Sequence, residues 1–390
     1  MFTATFNRKD LEEAVGLCLP AVATSNQLEI IKGIRLNVHD LGKKVSFTAF
    51  DLAKGIITVA DAIAEGSGSI VIPGAKLLQA VRNLTGDTVT ITAADNGKCN
   101  IKSGKSRVTV PFLDGKDFPN IPMIMGDGDF VIPKKELVDA MRETVYAADK
   151  GNSRAVLNGV SFDFTQNGSE VTLHLSGSNS YRFACCTRRL TSKDNKTQSG
   201  KAIVPTEVVL QYIKLLDSSA GETVQILLTS KHLIMIADGF TFFTRLIDGQ
   251  YVDLEKVIGQ MKQQPSHTEV VVSTEELRGA LARAALVTEE RQVGAVKPYV
   301  RLETTDNGML FVTAEAANDS TYDELEAEIT GNPVTIGFNN AFLMDAIKVI
   351  HTEKVRISLT TASSAALVRP EGTDNGEDQT HLVMPVRMTK

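Results

Sequence analysis

The chain has 390 residues, 43% of them hydrophobic and 23% charged, with no Trp. That length exceeds a single core at about 150 residues per domain, and the composition is that of a globular protein, which excludes a fibrous or disordered chain. A net charge of −6 excludes a protein that coats nucleic acid over its whole surface, but not one with a basic lining on one face.

Six helices are predicted, at 8–17, 73–84, 133–148, 205–217, 273–288 and 339–350, and two kinds alternate. The first kind follows a short strand and carries a Leu-x-x-Ala-aliphatic stripe: Leu11, Ala14 and Val15, then Leu137, Ala140 and Met141, then Leu277, Ala280 and Leu281. The second kind opens after a breaker at Pro73, Pro205 or Phe338, spaced 132 and 133 residues apart. Apolar residues follow each breaker at +4, +5, +8 and +11: Leu77, Leu78, Val81 and Leu84; Val209, Leu210, Ile213 and Leu216; Phe342, Leu343, Ala346 and Val349. This spacing lays one helix face on a core. Six modules with a period of about 130 per pair make three related domains. Their expected bounds are 1–125, 126–258 and 259–390, with breaks near Gly126-Asp127-Gly128 and between Gly259 and His267.

Between helices the pattern alternates with period two, as in Ile34–Val38, Val160–Phe164 and Val300–Glu303. Asn96-Gly97, Asn167-Gly168 and Asn307-Gly308 sit between such runs and predict tight hairpins. Each half-domain reads strand, helix, then antiparallel strands, an α+β architecture. The segment 370–380 reads as an acidic hairpin loop. The charge balance of the six helices is +2 over 73–84 and sums to zero, so the remainder carries the whole −6. This is a weak polarity and not a basic stripe.

Catalytic signatures are missing. The histidines His39, His174, His232, His267, His351 and His381 never stand at helical ligand spacing. Neither phosphate-binding glycine pattern occurs, and Gly66-Ser67-Gly68 precedes a strand and reads as a turn. Asp51 reads as a turn residue and not as an acid catalyst. The cysteines Cys18, Cys99, Cys185 and Cys186 have no metal-ligand spacing and read as free thiols of a reducing cytoplasm. No metal, cofactor, secretory signal or membrane span is expected, and the chain reads as a non-enzyme.

Four stretches narrow the reading: Arg154–Val160, Arg245–Tyr251, Ile336–Asn339 and Val383–Arg387. In this order, on a threefold repeat, the whole chain resembles the bacterial DNA polymerase III beta subunit, the DNA sliding clamp family. The resemblance implies three tandem clamp domains, with helices inside and antiparallel sheets outside, closing as a head-to-tail homodimer into a ring around duplex DNA. A sliding tether cannot make tight specific contacts, so basic helix residues would attract phosphates diffusely. Candidates are Lys76, Arg82, Lys134, Lys135, Arg142, Lys214, Arg278, Arg283 and Lys348; a solvated helix face is the alternative for each. Ring closure would use Arg107, Val108 and Thr109 against Leu286 and Val287, the last two reading equally well as intradomain core.

The resemblance also implies a pocket for short peptides of the polymerase catalytic subunit, the clamp loader and repair proteins. Its residues would be Arg154, Leu157, Ser178, Ser180, Tyr181, Arg182, Phe183, Val257, Asn339, Phe342, Ala365, Val383, Met384, Pro385, Val386 and Arg387. For Val383 and Met384 ordinary last-strand packing is the alternative. The family often has Gly-His-Arg-Leu where this chain has Ser180-Tyr181-Arg182-Phe183, and Pro and Arg where it has Val252 and Lys256. The larger Phe183 predicts a shallower cavity. The loop 20–30 lacks Lys and Arg, so no DNA contact is expected there. The competing readings are a structural repeat protein without a DNA role and, last, an enzyme with a site assembled across domains.

Overall fold

The computed structural model describes residues 2–25, 28–39, 42–121, 128–253, 256–259, 268–288, 298–372 and 379–388. The proposed domain breaks near 126 and over 260–267, and most of the acidic loop within 370–380, lie outside these residues. Internal contacts divide the chain into two compact units, Met1–Lys134 with Lys214–Leu246, and Lys135–Ile213 with Ile247–Lys390.

The six predicted helices form, each within about three residues of the expected ends: α1 (Arg8–Cys18), α2 (Gly74–Asn83), α3 (Lys134–Val145), α4 (Thr206–Ser218), α5 (Thr274–Thr288) and α6 (Asn340–Lys348). Their stripes do what the spacing requires. Leu11, Val15, Leu137, Ala140, Met141, Leu277, Ala280 and Leu281 are all fully buried. α1 starts where the Asn7 side chain accepts from the Lys9 N–H, and α6 where Asn339 accepts from the Ala341 and Phe342 N–H groups. Such caps satisfy donors the helix itself leaves open.

In the first unit an antiparallel sheet runs in the order Gly128–Pro133, Thr223–Leu228, His232–Ala237, Phe240–Arg245, Lys54–Gly66, Phe2–Asn7, Thr88–Ala93, Lys98–Ser103 and Ser106–Pro111, with further strands branching from it. Two phenylalanines knit its middle. Phe50 and Phe243 rings lie 5.5 Å apart in a cluster with Val71, Phe118 and Ile234. A Cβ at Gly55 would stand 2.2 Å from the Phe243 ring, so only glycine lets that ring settle on the neighbouring strand. Asp51 is a turn residue as expected, its side chain accepting from the Ala53 and Lys54 N–H groups.

In the second unit the order is Gly159–Ser178, Arg182–Pro205, Gln379–Val383, Ala366–Pro370, Lys354–Leu359, Thr268–Ser273, Ser320–Thr330, Met309–Glu315, Val300–Thr304, Thr335–Phe338 and Pro385–Val386. α5 and α6 pack on each other and share one core with Val270, Leu302, Val312, Phe338 and Val355. Gly177 lies against α3, where a Cβ would meet the Thr144 carbonyl oxygen at 2.2 Å.

Two of the three predicted hairpins form, at Gly97 and Gly308, both with positive φ. The third does not. Asn167-Gly168 lies inside the long strand Gly159–Ser178, where the register shifts between Gly168 and Glu170. The buried Gln166 side chain explains this. It donates to the carbonyls of Gly168 and Asp194 and accepts from Gln198, holding the bulged strand to its partner. The reversal comes instead after Ser178, where the Asn179 side chain accepts from the Tyr181 and Arg182 N–H groups.

Candidate functional site

The turn 178–182 presents the first half of the candidate pocket. The Ser178 hydroxyl accepts from the Ser180 N–H, and Ser180 takes φ 75°, a left-handed conformation that costs a non-glycine residue about 1–2 kcal/mol. The bent turn pushes Tyr181 outward, 64% exposed, with its ring stacked 6.4 Å from that of Phe342 on α6. The Tyr181 carbonyl accepts from the Met384 N–H at 2.8 Å.

Arg182 turns inward. Its guanidinium bonds Asp345 at 2.6 Å and donates to the Tyr146 carbonyl at 2.5 Å. It also lies over the Phe342 ring at 4.6 Å and the Tyr146 ring at 5.2 Å. Behind it, the Tyr146 hydroxyl meets His381 Nδ1 at 2.8 Å. Burial pushes the Tyr146 phenol well up and the His381 imidazole down to about 3, so both are neutral at pH 7. Arg182 thereby ties the end of α3, the turn and α6 into one arrangement.

The second half is apolar. Ala365, Leu367 and Leu382 are buried together, with Phe183, Val257 and Ile258 packed against them. Strand pairing sets this patch: Phe183 stands opposite Leu382, and Leu367 opposite Leu382 on the other side. The tail closes the rim, because Pro385 pairs with Phe338, one residue before the Asn339 cap.

Val383 lies elsewhere. It is 1% exposed and belongs to the core beneath the sheet, with Val355 and Phe338. Side chains alternate along a strand, so Leu382 faces the patch and Val383 the core. The last-strand alternative therefore holds for Val383, and Leu382, Leu367 and Ile258 are patch residues that the sequence reading missed. Tyr146 and Asp345, the supports of Arg182, were missed as well. Leu157 and Ser178 are buried, whereas Arg154 and Arg387 are exposed and Met384 is marginally so.

The basic candidates divide. Lys76 and Lys214 are exposed on α2 and α4. Arg82 pairs with Glu12, Lys135 with Asp139, and Arg283 with Asp323. Arg142 and Lys348 lie near Asp139 and Asp345, at 3.7 and 4.0 Å. Lys134 donates to the Ser219 carbonyl. Arg278 donates to the Ile347 and Ile350 carbonyls at the end of α6, which gives it a capping role in place of a phosphate-facing one. Leu286 and Val287 also part company, at 73% and 3% exposed. Val287 is core. Arg107, Val108 and Thr109 lie on Ser106–Pro111, the last strand in the first unit's sheet order. Among the described residues no cluster of three or more His, Cys, Asp or Glu could hold a metal, and the four cysteines are buried and outside any disulfide. No helix among them is long and apolar enough to cross a membrane.

Comparison with known proteins identifies the family of the whole chain. Family profiles for the N-terminal, central and C-terminal domains of the DNA polymerase III beta subunit match residues 2–122, 131–253 and 264–387. The beta sliding clamp of Pseudomonas aeruginosa is 29% identical over 98% of this chain and 99% of its own length, and that of Bacillus subtilis 28% over 98% and 99%. The crystal structure of the Bacillus subtilis DNA polymerase sliding clamp superposes with a TM-score of 0.89 at 27% identity, covering both chains fully. That of the Pseudomonas aeruginosa DNA polymerase III subunit beta gives 0.87 at 28%, covering 99% of this chain and 100% of the other. With three beta-subunit domains in order along one repeat of six modules, the chain belongs to the DNA polymerase III beta subunit family, the beta sliding clamps.

Proposed function

We propose that the protein is a DNA sliding clamp, a non-catalytic processivity factor that closes as a head-to-tail homodimer around duplex DNA and tethers a replicative polymerase and other replication and repair proteins. The observation that carries this reading is the match of all three beta-subunit domains, in order, across residues 2–387. The three clamp domains are 1–125, 126–258 and 259–390. Sequence-independent attraction to phosphates falls to the exposed helix cations, Lys76 and Lys214 first, in the cytoplasm and with no cofactor.

Two features support the head-to-tail closure. The edge strand Ser106–Pro111 follows a hairpin with exposed Lys98, Lys102, Lys105 and Arg107. A groove beside α5 is lined by Glu275, Glu276, Asp323, Glu324 and Glu326, with Arg283 paired to Asp323 as its one basic member among the described residues. Opposite charge on two different surfaces suits a heterologous contact that closes after two copies. Partner peptides enter the site built by Tyr181, Phe183, Val257, Phe342, Ala365 and Leu382, with apolar anchors buried in the patch at about 1.5–3 kcal/mol each before ordering costs.

Topology is the test. Loaded onto nicked circular DNA, the protein stays bound through gel filtration at moderate salt and is released once the circle is linearised. Release that ignores linearisation refutes the reading.

A further inference from the structure

We propose that the apolar patch continues into a polar groove that takes the flanking segment of the same partner peptide and prefers a basic residue there; this rests on reading the patch as a peptide site. Along Gly159–Ser178, Val160, Phe162, Val171, Leu173 and Leu175 enter the core. The alternate residues Asp163, Thr172, His174 and Ser176 take the opposite sheet face, as period-two geometry requires. The register connects that face to the patch. Phe183 stands opposite Ser178, Cys185 opposite Ser176, Thr187 opposite His174, and Lys201 opposite Asp163.

Of these, Asp163, Thr172, His174, Ser176 and Lys201 line an open cavity of about 490 Å³, whose other wall is the segment Gln250–Asp253. Asp253 then accepts from the Lys256 N–H, which begins the helical turn whose Val257 and Ile258 cover the patch. One stretch of chain thus walls both compartments. The groove lining is hydroxyl-rich and ordered: His174 meets the Thr187 hydroxyl at 2.9 Å and the Ser176 hydroxyl at 3.1 Å. Among the described lining residues Lys201 is paired with Asp163 at 2.5 Å, and a second carboxylate is Asp253. Two carboxylates against one paired ammonium disfavour an anionic segment and favour a donor-bearing, basic one. The patch supplies the anchoring and the groove discriminates among flanks.

The test compares binding of the full chain to acetyl-Gln-Ala-Ser-Leu-Phe-amide with binding to the same peptide extended at either end by Gly-Lys-Ser or Gly-Glu-Ser, followed by fluorescence anisotropy. The basic extension at one end tightens binding about three- to five-fold over the acidic one, in line with partly exposed ion pairs. Asp163→Asn removes that gain and leaves the unextended peptide unaffected, whereas Lys201→Glu enlarges it. Equal binding of basic and acidic extensions, or a gain that survives Asp163→Asn, overturns the groove while the patch stands. Failure of even the unextended peptide to bind overturns the patch reading and the groove with it.

Discussion

Replacing Arg182 by Met keeps most of the side chain's volume between the Tyr146 and Phe342 rings and deletes its charge. The guanidinium side chain is 12% exposed and Asp345 34%, so the pair sits between the buried and surface limits. A hydrogen bond to a charged group contributes about 1.5–3 kcal/mol and a partly desolvated cation–π contact about 0.5–2. Relief of the arginine's own desolvation offsets part of this. A net loss of about 2–3 kcal/mol follows, which lowers the melting temperature by roughly 4–12 °C for a unit of this size. The assay is a double-mutant cycle with Asp345→Asn, read by thermal unfolding and by affinity for the unextended peptide acetyl-Gln-Ala-Ser-Leu-Phe-amide. A coupling of about 1–2 kcal/mol is expected, because the two groups share one contact. Peptide affinity should fall about ten-fold, since Tyr181 and Phe342 lose the group that fixes them. Additive effects, or a variant that melts and binds as the parent does, refute the argument that Arg182 organises the site.

Leu382→Ala and Val383→Ala should separate in binding and not in stability: both side chains are buried and both truncations destabilise, Leu382→Ala by about 2–5 kcal/mol, but only Leu382→Ala weakens the peptide about ten-fold or more, and equal or reversed ranking in anisotropy would reject the assigned facing. Ser180→Gly relieves the left-handed backbone at φ 75° and should raise stability by about 0.5–1 kcal/mol net of chain entropy; a lower melting temperature would reject it. His381 is neutral when buried, with its folded value lowered to about 3 from 6.5, so between those limits the unfolded chain binds more protons. Its contribution is complete above pH 6.5 and falls by about 1.4 kcal/mol by pH 5.5. His381→Gln should flatten the melting-temperature profile between pH 5 and 7, and an unchanged slope would remove His381 from the account.

The sequence carried the helices well because Leu11, Leu137 and Leu277 each head an apolar stripe on a 3.6-residue period that solvent exposure enforces. It carried Tyr181, Arg182 and Phe342 through local motifs, and the structure brings these together. Facing was harder to read. All five residues of Gln379–Val383 are buried, so no polar alternation marks which of Leu382 and Val383 looks into the patch. Asn167-Gly168 carried a strong turn signal, yet the Gln166 side chain, bonded across to Asp194 and Gln198, overrode it. Likewise Arg278 looks like any helix cation until the end of α6 arrives beside it. Long-range partners decide such cases, and no window of sequence contains them.

The pairing of Arg182 with Val383 has a consequence for the protein as it leaves the ribosome. One wall of the proposed peptide site waits on a strand made some two hundred residues after the other, and domains emerge and fold in order of synthesis. On the proposed function, a half-translated clamp offers partners only a torn sheet edge, and recruitment begins once the last strand is threaded in.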